Sequence, residues 1–298
     1  MNNEILKIIF LTYLTNYNIR DIYDGLQYTR TSNFIEDFLR AKKEKNQEVP
    51  ESFVKEVKKT YLERYEEMIY AGINFITINN EMYPSDLKMV PHAPPMLYVK
   101  GNFRPTSNIA IVGTRDASLM AEQTVEKIIS GLSKKENGVV SGLALGIDTI
   151  AHQKALKNGI YTIAVMPNSL ERVYPKENYK LANDILLNGG ALISELATGI
   201  NRGKKSFVER NRIQVGISEF VIPIEMSIES GTMHTVDYCI KQNKYILNFE
   251  PTDEQKSLPQ YEGILHLKNK RNIKRVVLKN DFNLADIKKQ INHTLFEI

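Results

Sequence analysis

The stretch Val140-Ser141-Gly142-Leu143-Ala144-Leu145-Gly146-Ile147-Asp148, continuing through Ala151-His152, follows an apolar run and leads into an amphipathic segment ending near Asn158. That order reads as strand, glycine turn, helix. Gly142 and Gly146 would let the backbone pass close to a ligand, and the new helix would aim free N–H groups and its positive dipole end at an anion. Open α/β sheets bind ligands at the carboxyl ends of their strands, where such a turn lies. A second turn of the same kind precedes it. Residues 109–112 (Ile-Ala-Ile-Val) read as a buried strand, followed by Gly113-Thr114-Arg115 and a helix from about Ser118 to Leu132. Two phosphate-type turns, one bearing an arginine, point to a ligand with several negative charges.

Working outward, strands and helices alternate from Ile109 onward. Strands are expected at 109–112, 139–141, 162–165, 191–193, 220–224 and 245–249, with a last one at 275–278. Helical patterns fall near 117–133, 148–158, 176–188, 208–215 and 232–243, and 284–296 reads as a closing helix. This alternation predicts an α/β fold, a Rossmann-like, mostly parallel sheet with helices on both faces and right-handed crossovers. Upstream, 5–14 and 34–39 show helical spacing. Residues 52–70 form a long charged helix carrying Phe53, Val57, Tyr61, Tyr65 and Met68 at three- and four-residue steps. Residues 41–51 read as a surface loop and 73–78 alternate like a strand. Pro84, Pro91, Pro94, Pro95 and Pro105 punctuate a connector into the strand at Ile109. The expected domains are therefore 1–72, a helical N-terminal unit, and 73–298, an extended Rossmann-like unit.

Bulk properties bound the function. The 298 residues are 42% hydrophobic and 25% charged, as in an ordinary globular protein, and suffice for one large core with a smaller unit attached. A net charge of +4 permits a polyanion partner without demanding one. Cys239 is the only cysteine, which rules out an intrachain disulfide and suits a reducing compartment. The first residues carry no early basic region or small-residue cleavage site, and their apolar run is too short and interrupted to span a bilayer. A cytoplasmic protein is expected, with no membrane partner.

Further site candidates lie at strand ends. Tyr174-Pro175-Lys176 opens a helix. Between Arg202 and Arg212 there are five basic residues and one acid, including Lys204, Arg210 and Arg212, with Phe207 and Asn211 among them. Ser230-Gly231-Thr232 starts another helix after the strand near Ile224, a third N-terminus able to face an anion. Quieter explanations stand beside these. Gly142 and Gly146 could serve tight strand–helix packing, and Arg115 could be a surface ion-pair residue. Arg210 and Arg212 could partly hold their loop by salt bridges. Asp148 suits a helix N-cap better than a catalytic acid, and His152 suits packing. Cys239 reads as core, and His234 lacks a second ligand at metal spacing.

The segments IVGTR (111–115), SGLALGIDTIAH (141–152), TIAVMP (162–167), YPKEN (174–178), ISE (193–195), FVERNRIQVGIS (207–218) and SGTMHT (230–235) are together similar to the DNA-processing protein A (DprA/Smf) family, over roughly residues 70–290. The resemblance implies a Rossmann-like core that binds single-stranded DNA, helps load the RecA recombinase, chiefly in natural transformation, and homodimerises through the core. The helical N-terminal unit resembles that family's sterile-alpha-motif-like domain. This chain departs from the family pattern in several places. Leu145 stands where the family usually has an arginine, Pro167-Asn168-Ser169-Leu170 replaces a glycine-bearing turn, and Val208 replaces the proline of Phe-Pro. Pro223-Ile224-Glu225-Met226 replaces a Val-Glu-Ala strand end. Many members continue into a C-terminal winged helix, whereas this chain stops soon after the closing helix. It therefore resembles a divergent member, and its basic run from Ile264 to Asn280 would extend the DNA track.

No Walker A sequence, Cys/His metal cluster or placeable Ser-His-Asp order is present, so no metal and no cofactor is expected. The competing class is a nucleotide sensor or a phosphoribohydrolase similar to the lonely-guy enzymes, with Glu225 and Glu229 as a carboxylate pair near a ribose. Their Pro-Gly-Gly-x-Gly-Thr signature is absent, apart from the tail Ser230-Gly231-Thr232. A pure interaction module is a third option. The expected function is a non-enzymatic single-stranded DNA binder. Arg115, Lys176, Lys204 and Arg210 would neutralise phosphates, with Asn211 and Arg212 beside them. Backbone donors would come from Gly113, Thr114, Ser141, Gly142, Gly146, Ser230, Gly231 and Thr232, and a base would stack on Phe207.

Overall fold

The computed structural model describes residues 3–28, 33–104, 106–279 and 282–296; Pro105 of the connector and Asn280 of the basic run lie outside them. Four helices come first: α1 (Asn3–Leu14), α2 (Ile19–Tyr28), α3 (Phe34–Glu44) and α4 (Glu51–Tyr70). Then follow β1 (Ile73–Thr77), α5 (Ser85–Lys88), β2 (Met96–Gly101), β3 (Ser107–Val112), α6 (Leu119–Ser130), β4 (Asn137–Ser141), α7 (Ile147–Lys157) and β5 (Tyr161–Val165). A 3-10 turn (Lys176–Asn178) leads into α8 (Tyr179–Leu187), β6 (Ala191–Ser194), α9 (Lys205–Gly216), β7 (Phe220–Pro223), α10 (Gly231–Lys241) and β8 (Tyr245–Phe249). The chain closes with α11 (Asp253–Lys256), α12 (Glu262–His266), β9 (Lys274–Leu278) and α13 (Leu284–Phe296).

The strands form one sheet in the order β1-β2-β6-β5-β4-β3-β7-β8-β9. Pairing is parallel from β6 through to β9, and β1 and β2 join antiparallel at the other end. Side chains alternate between sheet faces with period two. On β3, Ala110 and Val112 join the apolar layer under α9 and α10, while Ile109 and Ile111 join the layer under α6, α7 and α13. Val139 and Val140 of β4 divide in the same way. Nearly every strand residue from β3 to β7 is buried, which explains continuous apolar runs rather than alternation with polar residues. The expected Rossmann-like α/β sheet, covered by helices on both faces, is what forms.

The N-terminal helices pack into a cluster with Met96 and Tyr98 of β2, Ala164 of β5 and Leu192 of β6. Within it Phe10 meets Phe34 and Tyr61 edge-to-face at centroid distances of 5.6 and 5.4 Å. Tyr17 donates its hydroxyl to Glu195 at 2.5 Å, and Tyr13 to the carbonyl of Thr198 at 2.6 Å. Burial and the Glu195 charge together push the Tyr17 hydroxyl well above the usual range.

Two local readings differ from the structure. The proline-punctuated connector contains β2, whose Met-Leu-Tyr-Val run is buried on both faces and so shows no alternation; its prolines fall outside the strand. The loop expected over 41–51 begins later, because α3 continues to Glu44 with Lys42 and Lys43 in its last turn, where cations suit the dipole. Helix α2 lies within the expected helical unit and has a weak signal of its own, since buried Ile22 and half-buried Ile19 and Leu26 form a narrow apolar stripe among charged neighbours.

Candidate nucleic-acid interface

The carboxyl ends of β3, β4 and β7 converge on a cavity of 360 Å³. Gly113-Thr114-Arg115, Asp148, Phe207, Gln214 and the start of α10 at Ser230-Gly231-Thr232 are among its walls. A smaller slot of 50 Å³ adjoins it, and Ala144, Arg115, Phe207 and Arg210 line both.

Arg115 is exposed and takes part in no ion pair among the described residues. Its turn is fixed from behind. Thr114 donates its backbone N–H to the carbonyl of Glu225 at 2.7 Å, and Ile147 donates to the carbonyl of Thr114 at 3.0 Å. The Glu225 carboxylate accepts from the Ser118 N–H (3.0 Å) and hydroxyl (2.5 Å), and the Ser118 hydroxyl in turn caps α6 by accepting from Ala121. Across the cavity α10 begins at exposed Gly231, where an added Cβ would meet open space. A helix start leaves its first N–H groups without intrahelical acceptors, so this end is electropositive.

The second glycine turn is built for a different purpose. Arg210, on α9, is only 7% exposed and donates Nη1 to the carbonyls of Gly142 (2.6 Å) and Val165 (2.5 Å), with Nε to Asn211 (3.1 Å). A Cβ on Gly142 would collide with this guanidinium. Asp148 is buried and accepts from the N–H groups of Gly142 (3.0 Å) and Ala144 (3.3 Å). Burial pushes its carboxyl up, and burial likewise pulls the Arg210 guanidinium down. Gly146 has φ +74, which favours glycine, and a Cβ there would strike the backbone of Thr114 and Arg115. The two turns therefore lock onto each other, and Asp148, expected as an N-cap, sits inside α7 as a clamp on the turn while Gly146 precedes the helix.

Several expected phosphate contacts are thus spent inside the protein. Arg210 satisfies strand-end carbonyls, and Arg212 is buried against Glu195 on the far side of α9. An isolated buried guanidinium is costly, so both are drawn to internal partners. The Ser141 hydroxyl donates to the carbonyl of Ile111 at 2.7 Å, and the Gly142 N–H belongs to Asp148. Asn211 accepts from Arg210, and its amide lies 3.5 Å from the carbonyl of Gly231. Thr232 is buried on the cavity wall.

Lys204 and Lys176 are exposed, without ion pairs among the described residues, and flank the site rather than line it. Lys204 immediately precedes α9, two residues before buried Ser206 and three before Phe207. Phe207 packs edge-to-face on Tyr174 at 5.1 Å. Leu145, Tyr174 and Gln214 also line this region, although the sequence does not mark their side chains as ligand contacts.

The carboxylate pair expected of a hydrolase is not assembled. Glu225 is fully buried against Ser118, Glu229 is exposed, and neither lines the cavity. No group of three or more metal-ligating side chains occurs among the described residues, and no helix among them is long and apolar enough to cross a membrane. His152 is buried; the Thr162 hydroxyl donates to the carbonyl of Val139 and so accepts from His152 Nδ1–H at 2.8 Å. Burial, reinforced by Arg210, pulls its pKa down to about 3. Cys239 is a buried thiol whose pKa burial pushes up, as befits a core residue. In the C-terminal basic run, Lys268 and Arg275 pair with Glu250, and Lys270 with Asp237 at 2.9 Å. Those pairs draw off much of the free charge expected for an extended track.

Residues 74–277 match the family model described as DNA recombination-mediator protein A. DNA processing protein DprA of Streptococcus pneumoniae is 39% identical over 170 residues, which cover 56% of this chain and 60% of that relative. Its namesake in Bacillus subtilis is 34% identical over 178 residues, 59% of this chain and 60% of that protein. The chain thus matches about three-fifths of the length of these curated relatives. The X-ray structure of the S. pneumoniae protein superposes with a TM-score of 0.64 at 28% identity, covering 93% of this chain and 90% of that one. A Helicobacter pylori DNA processing protein A structure, described in terms of its single-stranded DNA binding mode, gives 0.59 at 28% identity, covering 76% and 96%. From the nine-stranded sheet, the interlocked glycine turns and these matches together, the chain belongs to the DNA recombination-mediator protein A family.

Proposed function

We propose that this chain binds single-stranded DNA at the carboxyl edge of its parallel strands and, as a recombination mediator, delivers it to a RecA-type recombinase without catalysing a reaction itself. The observation that carries the reading is the exposed Arg115, which has no ion pair among the described residues, between a cavity of 360 Å³ and its adjoining slot, opposite the open start of α10. A guanidinium and a helix N-terminus facing one cleft are complementary to phosphate. The described function of the H. pylori relative supports the same ligand. Phosphate contacts position a strand without reading its bases, so binding is nearly sequence-neutral. A cytoplasmic homodimer remains the form in which the reading places the protein.

Oligo-dT titrated at increasing salt tests this. Three exposed cations, Arg115, Lys176 and Lys204, each give a slope of about −0.7, so log K falls against log salt with a slope near −2. An affinity that stays flat across salt removes the reading.

A further inference from the structure

A second cavity, of 580 Å³, lies at the seam between the helical unit and the sheet, with lining residues different from those of the Arg115 cavity. Helix α2 forms one wall. Its apolar stripe of Ile19, Ile22 and Leu26 belongs to the core of the helical unit, while Arg20, Tyr23 and Asp24, at three- and four-residue steps, share a neighbouring face that lines the cavity. The opposite wall is the segment between β1 and β2, where Lys88 and His92 stand beside an apolar floor of Ile78 and Val90. Tyr23 ties the walls together by donating its hydroxyl to the carbonyl of Ala93 at 3.1 Å, so its ring is what it offers an occupant. His92 holds φ +59, a left-handed conformation that few non-glycine residues adopt. Charge in this cavity is unbalanced. Asp24 is engaged by Lys42 at 3.8 Å and Lys45 at 3.5 Å, whereas Arg20 and Lys88 are exposed and have no ion pair among the described residues.

We propose that this cavity binds a nucleoside diphosphate, its phosphates between Arg20 and Lys88 and its base against Tyr23 and the apolar floor. The site is separate from the strand-binding edge at Arg115 and does not depend on it. Size, charge and surface choose the occupant. The volume falls within the range of about 300–1,000 Å³ usual for small-molecule sites, which favour boundaries between units. Two cations carried by different elements match two linked phosphate groups. An aromatic ring beside aliphatic side chains matches a flat base, which stacks through its π-face. Inorganic phosphate satisfies the cations and leaves the floor facing water, and a nucleoside does the reverse. An acidic peptide side chain brings one carboxylate and no flat face. The occupant touches α2 on one side and the β1–β2 segment on the other, so it fastens the helical unit onto the sheet.

The test is calorimetric titration of the full chain with ADP, alongside adenosine and inorganic phosphate. Arg20→Ala, Lys88→Ala, their double variant and Arg115→Ala are titrated in the same way. Arg20 and Lys88 are exposed, so their loss leaves the core intact. The full chain and Arg115→Ala bind ADP equally, and adenosine and phosphate each bind about ten-fold or more weakly than ADP. Each single alanine at 20 or 88 weakens ADP about ten-fold, and the double variant about a hundred-fold. No binding of ADP by the full chain overturns the proposal. So does ADP binding that is lost in Arg115→Ala and kept in the double variant. A DNA strand crossing the seam offers the same phosphate chemistry, so the titration is repeated with oligo-dT at saturation. ADP that still binds assigns the cavity to free nucleotides. ADP displaced by oligo-dT, with oligo-dT affinity also reduced in the double variant, assigns it to the strand and overturns the free nucleotide. Oligo-dT affinity of Arg115→Ala is a separate measurement, so failure of the ADP site leaves the single-stranded DNA reading standing.

Discussion

The turn after β3 carries Gly113-Thr114-Arg115 outward, with the arginine exposed at a cavity, whereas the turn after β4 wraps Gly142 around the buried guanidinium of Arg210. In sequence both have the form of strand, glycine and helix. In the fold the first is a surface and the second is its foundation, because Gly146 packs directly against the backbone of Thr114 and Arg115. The same sequence pattern can therefore make a binding edge or the buttress behind one. What separates them is whether a cation from another element, here α9, arrives to fill the turn.

Four outcomes sharpen or break this contrast. The largest concerns acid. His152, one helical turn past the second turn, has a pKa of about 3 when folded against 6.5 unfolded. A depressed folded pKa means that the stability is complete above about pH 6.5 and is lost as pH falls toward 3. By linkage the loss approaches about 4–5 kcal/mol. Denaturant unfolding at pH 7 and pH 4 should show a steeper decline for the native chain than for His152→Gln. Matching declines would mean that the region behind the turns is open to water.

Next, Arg210→Ala should lower stability by about 3–5 kcal/mol, since it strands the carbonyls of Gly142 and Val165 and leaves Asp148 a buried charge without its cation. Lysine at 210 should restore little, because one ammonium cannot reproduce the guanidinium fork. An Arg210→Ala chain that melts normally yet loses DNA would reverse the assignment of the two arginines. Smaller again is the coupling between the turn and its filler. Gly142→Ala should be destabilising alone and markedly less so in an Arg210→Ala background, with a coupling of up to about 3 kcal/mol. Additive losses would show that the two do not interlock.

Much of the sheet was legible because its central strands are buried on both faces and read as unbroken apolar runs bounded by glycine. Strand β2 was hidden by the prolines around it, although Met96 to Val99 are all buried. The site was legible in location but only partly in role. Arg115, Lys176 and Lys204 stand exposed as the sequence suggests, while Arg210 and Arg212 face inward. A linear sequence places basic residues two apart on α9 without saying which face meets the sheet. That Leu145 and Tyr174 line one slot is not legible, because nothing local shows that the turn after β4 and the segment before α8 come together.

The central claim is that Arg115 touches the ligand while Arg210 holds the turn, and the Arg115→Ala chain tests it most directly when its melting temperature and its oligo-dT affinity are measured side by side. Its melting temperature should stay unchanged while its affinity falls by about 1.5–3 kcal/mol, roughly ten- to hundred-fold, from removal of one charge-assisted phosphate contact. An Arg115→Ala chain that binds oligo-dT as well as the native one would contradict it.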